Sequence, residues 1–323
     1  MSSNRQHRII ASAVLLLALA SLLPSWLLFP LALALANGIA ASGIVALMRS
    51  GNVTFGQALP YCIGAYAAWL VPQALGPADA LLTLLCAGLA AMLLSGLIGL
   101  FLVRFTGIFF AMLSLAFSMM FYGFLVKNQS LGGSDGLSIP PPRFFTLQPE
   151  GDGMLIALYL VAVAAAGIVM LITARLQRSW IGLAVNAVGR NDIRVMYLGG
   201  NARVISWLAF VWCGLLGGIG GALIGFLTGH AAPELAYWSK SGELVLIAIL
   251  GNSSSVVLVF VGSIIIEMIR MFASTSFPYT WQAVLGVTLL LIILFFPDGL
   301  DSIVRAVRPR STAADRKPTD ARS

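Results

Sequence analysis

RSWIGLAVNAVGRNDIRVMYLGGNARVISWLAFVWCGLLGGIGGALIG, residues 178–225, joins a polar, arginine-bearing stretch directly to a long apolar run. The apolar half is long enough to cross a bilayer, because roughly 20 apolar residues in a helix cover about 30 Å of hydrocarbon. The polar half, with Arg178, Arg190, Asp192 and Arg194, must lie outside that hydrocarbon. The rest of the chain repeats the apolar half. It has 323 residues, 59% hydrophobic and 10% charged, which leaves too little polar surface for a water-soluble domain of this size. The fold class is therefore all-α, a polytopic transmembrane helical bundle.

Apolar spans are expected at 9–29, 31–48, 53–71, 80–103, 106–126, 154–173, 204–228 and 281–296, with a further apolar region at 243–272. GNSSS at 251–255 interrupts that last region, so the count is nine or ten. Cytoplasmic segments collect Lys and Arg, and this decides between the two. With ten spans and both termini cytoplasmic, fifteen of the nineteen basic residues fall inside, including five arginines from Arg175 to Arg203 and the six basic residues of the C-terminal tail. Only Lys127, Arg143, Lys240 and Arg270 are left outside. Ten spans are preferred, with a short eighth span, which membranes accommodate where protein or a water-filled cavity surrounds the break.

The organisation expected is a cytoplasmic N-terminus (1–8), a transmembrane domain (9–300) with an external loop (127–153) and a cytoplasmic loop (174–203), and a basic, disordered cytoplasmic tail (301–323). Residues 1–20 share the charged start and apolar run of a signal peptide, but the run continues through Trp26 to Phe29 and reads as a retained span. Cys62, Cys86 and Cys213 lie within apolar spans without metal-ligand spacing and read as small buried hydrophobes.

Several chemistries are missing. There is no GxxxxGK[ST] phosphate loop, so the chain has no nucleotide-hydrolysing site of its own. Two histidines, His7 and His230, supply neither a zinc hydrolase motif nor a Ser-His-Asp set, and no catalytic or metal-ligating residues are assigned. Glu243 and Glu267 read as lying near outer span ends, which weakens an ion-coupled carrier, since such proteins keep ionisable groups in mid-bundle. GLLGGIGGALIG, 214–225, places Gly214 with Gly218, Gly217 with Gly221, and Gly221 with Gly225 at the spacing that lets helix backbones approach closely. In the external loop, Gly132, Gly133, Ser134, Asp135 and Gly136 precede three prolines and read as an ordered turn.

The opening stretch resolves into two short helices. Ile181, Ala184, Val185 and Val188 form one apolar stripe, and Gly189 is expected to end that helix. Asn191 or Asp192 can cap a second helix bearing Ile193, Met196 and Tyr197, closed by Gly199 and Gly200. On the residues alone, this element either rests on anionic headgroups of membrane lipid or docks a soluble partner.

Four blocks tip the balance. SGNVTFGQALPYCIGAYAA (50–68), RFTGIFFAMLSLAFSMMFY with LGGSDGLSIP (104–122 and 131–140), WIGLAVNAVGRNDIRVMYLGGNARVISWLAFVWCGLLGGIGGAL (180–223) and FFPDGL (295–300) occur in order. Together they resemble the permease subunits of branched-chain amino acid ABC importers, specifically the longer of two permease types. The resemblance departs at Gly189 and Arg190, where the family usually carries a different charge pattern, and at GNSSS, which replaces a glycine-rich turn.

This resemblance implies a subunit of the bacterial inner membrane that pairs with a second homologous permease, two ABC ATPases and an extracytoplasmic substrate-binding protein. It binds no cofactor and no nucleic acid; ATP is used by the partner subunits. The implied coupling residues are Ala184, Val185, Val188, Gly189, Arg190, Asn191, Asp192 and Arg194. Asn52, Thr54 and Gln57 are candidates for the substrate path, competing with a role in interhelical hydrogen bonding. The implied cargo is a branched-chain or related small amino acid. Urea or short amides are alternatives within the family, and an ion-coupled secondary transporter of a small polar solute is the alternative outside it.

Overall fold

A computed structural model describes residues 25–76, 79–144, 152–251 and 256–276, with isolated positions at 14, 17, 280, 283, 286, 287, 290 and 294. The expected spans at 9–29 and 281–296, GNSSS and the basic tail lie largely or wholly outside the described residues. The elements are α1 (Ser25–Met48), α2 (Ala58–Leu75), α3 (Ala80–Leu102), α4 (Ile108–Lys127), β1 (Leu137–Ser138), α5 (Asp152–Leu176), α6 (Trp180–Arg190), α7 (Asp192–Tyr197), α8 (Ala202–Thr228), β2 (His230–Ala231), α9 (Trp238–Gly251) and α10 (Val256–Ser276). Six of these helices, α1, α3, α4, α5, α8 and α10, are long and apolar enough to cross a membrane. The protein is an all-helical membrane bundle.

Helix α8 is the centre of the bundle, packed by α1, α2 and α3. Its glycines make this possible. A Cβ on Gly221 would collide with the Tyr61 carbonyl of α2, one on Gly220 would come within 2.6 Å of the Ala36 carbonyl of α1, and one on Gly218 would lie 2.6 Å from the Ala87 carbonyl of α3. Helix α3 answers with a stripe of small buried residues, Ala87, Ala91, Ser95 and Gly99, one turn apart. Its opposite stripe, Leu81, Leu85, Leu89, Leu93 and Leu97, is exposed. That division suits a helix with protein on one side and acyl chains on the other.

Two connections depart from continuous helix. The apolar stretch expected to begin at residue 53 becomes helical only at Ala58. Before it, Gly51 takes φ +81° and Gly56 presses against the Ser114 carbonyl of α4, an approach that leaves no room for a side chain. After α8, Gly229 at φ +66° closes the helix, β2 pairs antiparallel with β1, and a short turn over Pro233–Ala236 leads into α9. Helices α9 and α10 then run as separate elements on either side of residues 252–255.

Candidate coupling surface and translocation wall

Helix α6 begins at Ser179, whose hydroxyl accepts from the Gly182 N–H at 3.4 Å and donates to the Leu176 carbonyl at 2.6 Å. It continues through Gly189 to Arg190, one residue beyond the stop expected at Gly189. The reason is packing: a Cβ on Gly189 would strike the Arg49 carbonyl, so glycine is required for contact rather than for termination. Asn191 caps α7, its side chain accepting from the Arg194 N–H at 2.9 Å.

The implied coupling residues divide. Val185 and Val188 are buried toward the bundle and Ala184 is half-buried, whereas Gly189, Arg190, Asn191, Asp192 and Arg194 are exposed. Apolar side chains share the outward surface. Leu183, Ile193, Met196, Tyr197 and Leu198 are all more than half exposed, with Tyr197 at 88%. The sequence put Ile193, Met196 and Tyr197 on one face, but not that this face points away from the bundle together with Leu183 and Leu198.

Asn52, Thr54 and Gln57 are buried. The Asn52 side-chain carbonyl accepts from the Gly107 N–H at 3.2 Å, and Thr54 Oγ1 accepts from the Gly56 N–H at 3.1 Å. Gln57 Nε2 donates to the carbonyls of Ala40 at 3.2 Å and Cys213 at 3.0 Å, tying α1 to α8. These groups hold the non-helical segment in place. Apolar neighbours form an open surface next to it: a cavity of about 650 Å³ lined by Val53 and Phe55 of the segment, Met112 and Leu115 of α4, and Val245 and Ile249 of α9.

Helix α4 supports both interruptions. Ser114 Oγ accepts from the Phe55 N–H at 3.2 Å, and one turn later Ser118 Oγ donates to the Ala236 carbonyl at 2.8 Å. The two following helices also meet, since the Ala58 N–H donates to Ser241 Oγ at 2.9 Å. Irregular backbone at membrane depth requires such partners.

Four charged residues are placed differently from the expectation. Lys240 and Arg270, counted as external, and Glu243 and Glu267, read at outer span ends, form one cluster inside the bundle. Lys240 Nζ lies 3.3 Å from Glu243 Oε1, Arg270 pairs with the same carboxylate, and Arg270 Nη1 lies 3.8 Å from Glu267 Oε2. Asn37, near the middle of α1, donates to Glu267 at 3.3 Å and accepts from Lys240 at 3.1 Å and from the Tyr61 hydroxyl at 2.7 Å. The turn before α9 dips to Ser118, so α9 starts deep in the bundle and brings Lys240 with it. The charges balance two against two. The usable sequence signal was a pair of i,i+3 ion pairs, Lys240 with Glu243 and Glu267 with Arg270, on consecutive apolar segments.

On the other end of the bundle, Gly132, Gly133 and Gly136 all take positive φ. The exposed Ser134 and Asp135 sit at the tip, and the Asp135 carbonyl lies 2.7 Å from His230 Nε2, next to the β1–β2 pairing. Among the described residues no group of three His, Cys, Asp or Glu side chains could hold a metal ion.

The family model described as branched-chain amino acid transport system / permease component matches residues 26–294. The chain belongs to this permease family. It is 27% identical over 290 residues to the high-affinity branched-chain amino acid transport system permease protein LivM of Escherichia coli (strain K12), and 26% identical over the same length to the LivM protein of Salmonella typhimurium. Each match covers 83% of this chain and 67% of the relative. No solved structure matches it. Members of this permease family are multi-pass transport subunits rather than enzymes, and the apolar helices described above are of that kind.

Proposed function

We propose that this chain is one of two permease subunits of an ATP-driven importer in the bacterial inner membrane, with ten spans and both termini cytoplasmic. A second homologous permease completes the path, two ABC ATPases dock on α6 and α7, and an extracytoplasmic binding protein delivers a branched-chain or related small amino acid. The chain itself holds no cofactor.

One observation carries this reading. The segment 49–57 meets the coupling helix at one end, where Gly189 packs on Arg49 and Gly51, and lines the apolar cavity at the other, through Val53 and Phe55. A displacement of α6 by a partner therefore moves the wall of the cavity directly. That is a direct packing link from the proposed ATPase site to the proposed path. The apolar wall suits an aliphatic side chain that is passed along rather than held.

The test is uptake by the two permeases and two ATPases reconstituted in liposomes with the binding protein. Arg190→Glu and Asp192→Arg, both on the exposed face, are expected to lower ATP-driven uptake by about tenfold, equivalent to roughly 1.4 kcal/mol of coupling, with folding intact. Met112→Trp fills the cavity and is expected to slow uptake while ATP hydrolysis continues. Unchanged uptake in all three variants overturns the assignment. The buried Lys240–Glu243–Glu267–Arg270 cluster supports a second reading, an ion-coupled carrier that works alone. Its balanced charges argue for a structural role, and uptake by the single chain under an ion gradient would establish the carrier instead.

A further inference from the structure

A second, polar cavity of about 350 Å³ lies beneath the coupling element, lined by residues of the loop after α1, the α3–α4 turn, α7 and the first turns of α8. Its size falls within the range of small-molecule sites, roughly 300–1,000 Å³. Asn52 and Ser206 line it, and both are more than nine-tenths buried. The Asn52 carbonyl is engaged by the Gly107 N–H, but its amide donates to no acceptor among the described residues, and the Ser206 hydroxyl likewise has no hydrogen-bond partner among them. Neither group is sealed off inside the protein, so both remain open to an occupant of the cavity.

The rest of the lining says what kind. Arg104 from the α3–α4 turn and Arg203 from the start of α8 reach the same cavity, and neither forms an ion pair among the described residues. Asp192 is the acidic group there, its Oδ1 accepting from the Ile193 N–H at 2.8 Å; one carboxylate against two guanidinium groups leaves the lining net positive. Thr106 adds a hydroxyl. Donors arriving from several elements suit a tetrahedral oxyanion better than a planar carboxylate, and arginine is the side chain that binds phosphate with two parallel bonds.

We infer that this cavity binds a phosphate group, held by Arg104, Arg203, Asn52 and Ser206, and that its occupancy braces the α3–α4 turn against the coupling element. The phosphate comes either from a lipid headgroup of the cytoplasmic leaflet or from free phosphate in solution. The site adjoins the apolar cavity, sharing Gly51 and Gly107 with it, and does not depend on which solute is carried.

The full chain, purified in a phosphate-free maltoside detergent, is titrated with inorganic phosphate and separately with dioleoylphosphatidylglycerol, with dioleoylglycerol as the phosphate-free control, while the thermal midpoint is followed. Saturable stabilisation by either phosphate compound and none by the control is expected. Selective protection by the phospholipid assigns the headgroup as source; protection by inorganic phosphate assigns free phosphate. Arg104→Gln/Arg203→Gln is expected to weaken the apparent Kd by about tenfold or more. Ser206→Ala is expected to weaken it less, and Arg203→Lys to retain saturation, which separates lost binding from lost folding. Stabilisation of the same size and midpoint concentration in the double variant, or no stabilisation of the native chain by either compound, overturns the site.

Discussion

Helices α8 and α4 have nearly the same mean hydropathy, 1.9 and 2.0, yet 78% of the most apolar stretch of α8 is buried and only 22% of that of α4. Hydropathy puts both in the membrane and says nothing about which lies at the centre. Glycine does. In α8, Gly214, Gly218, Gly220 and Gly221 each face an atom of a neighbouring helix closely enough to exclude a side chain, whereas Gly123 of α4 has nothing within 4 Å. Without a hydrophobic drive between helices in lipid, association depends on such close backbone approach and on polar ties.

The largest effect should come from removing that approach. Gly221→Leu forces a side chain into the Tyr61 carbonyl of a helix that cannot retreat, and no folded protein is expected from size-exclusion chromatography in detergent. Gly123→Leu places the same side chain in open space on α4 and should leave the elution profile unchanged. Equal behaviour of the two variants would break the comparison.

Next in size is the buried charge cluster. Glu243→Gln removes the carboxylate shared by Lys240 and Arg270 and should cost about 3–5 kcal/mol, read as a lowered thermal midpoint. Glu234→Gln, at an exposed position between α8 and α9, is the control and should leave the midpoint in place. A small loss at Glu243 would show that the cluster is solvated in the working protein.

Much of this was legible in the sequence, for identifiable reasons. The glycine spacing of 214–225 announced the packing of α8, and the caps and apolar stripe of 179–200 announced two short helices, because both depend on near neighbours in the chain. Two features were not legible. Residues 53–57 pass for the start of an apolar span, and only the distant Ser114, which accepts from the Phe55 N–H, and Gly107, whose N–H donates to the Asn52 side chain, show how the segment is held outside the helix. Lys240 and Arg270 were counted as external because charge counting treats each cation as solvated; their i,i+3 carboxylates are visible in the chain, but the Asn37 tie to α1 and the pairing of Arg270 with Glu243 on the adjacent helix are not.

Gln57 tests whether polar ties matter as much as glycine at the α8 seam. Gln57→Leu keeps the volume but removes the amide's bonds to the Ala40 and Cys213 carbonyls and the acceptor of the Cys213 thiol, which should cost roughly 1–3 kcal/mol. If the loss is confined to stability, with uptake per folded complex unchanged, Gln57 is a brace rather than part of the path. A change in substrate preference would place it on the path instead.

The smallest effect on stability is expected on α4, and there the two helices should part company most clearly. Ser114→Ala removes the acceptor of the Phe55 N–H at 3.2 Å and leaves the α4 backbone intact, because its other bond, to the Ala111 carbonyl, only duplicates the helix ladder. A single neutral hydrogen bond is worth about 1 kcal/mol, so the thermal midpoint should move little. Phe55, however, stands on the cavity wall and belongs to the segment that meets Gly189, so loosening it weakens transmission from the coupling helix to the wall. The expected signature is ATP hydrolysis that persists while uptake per ATP falls. A variant that loses stability and uptake in proportion would show that α4, like α8, serves only to hold the bundle together.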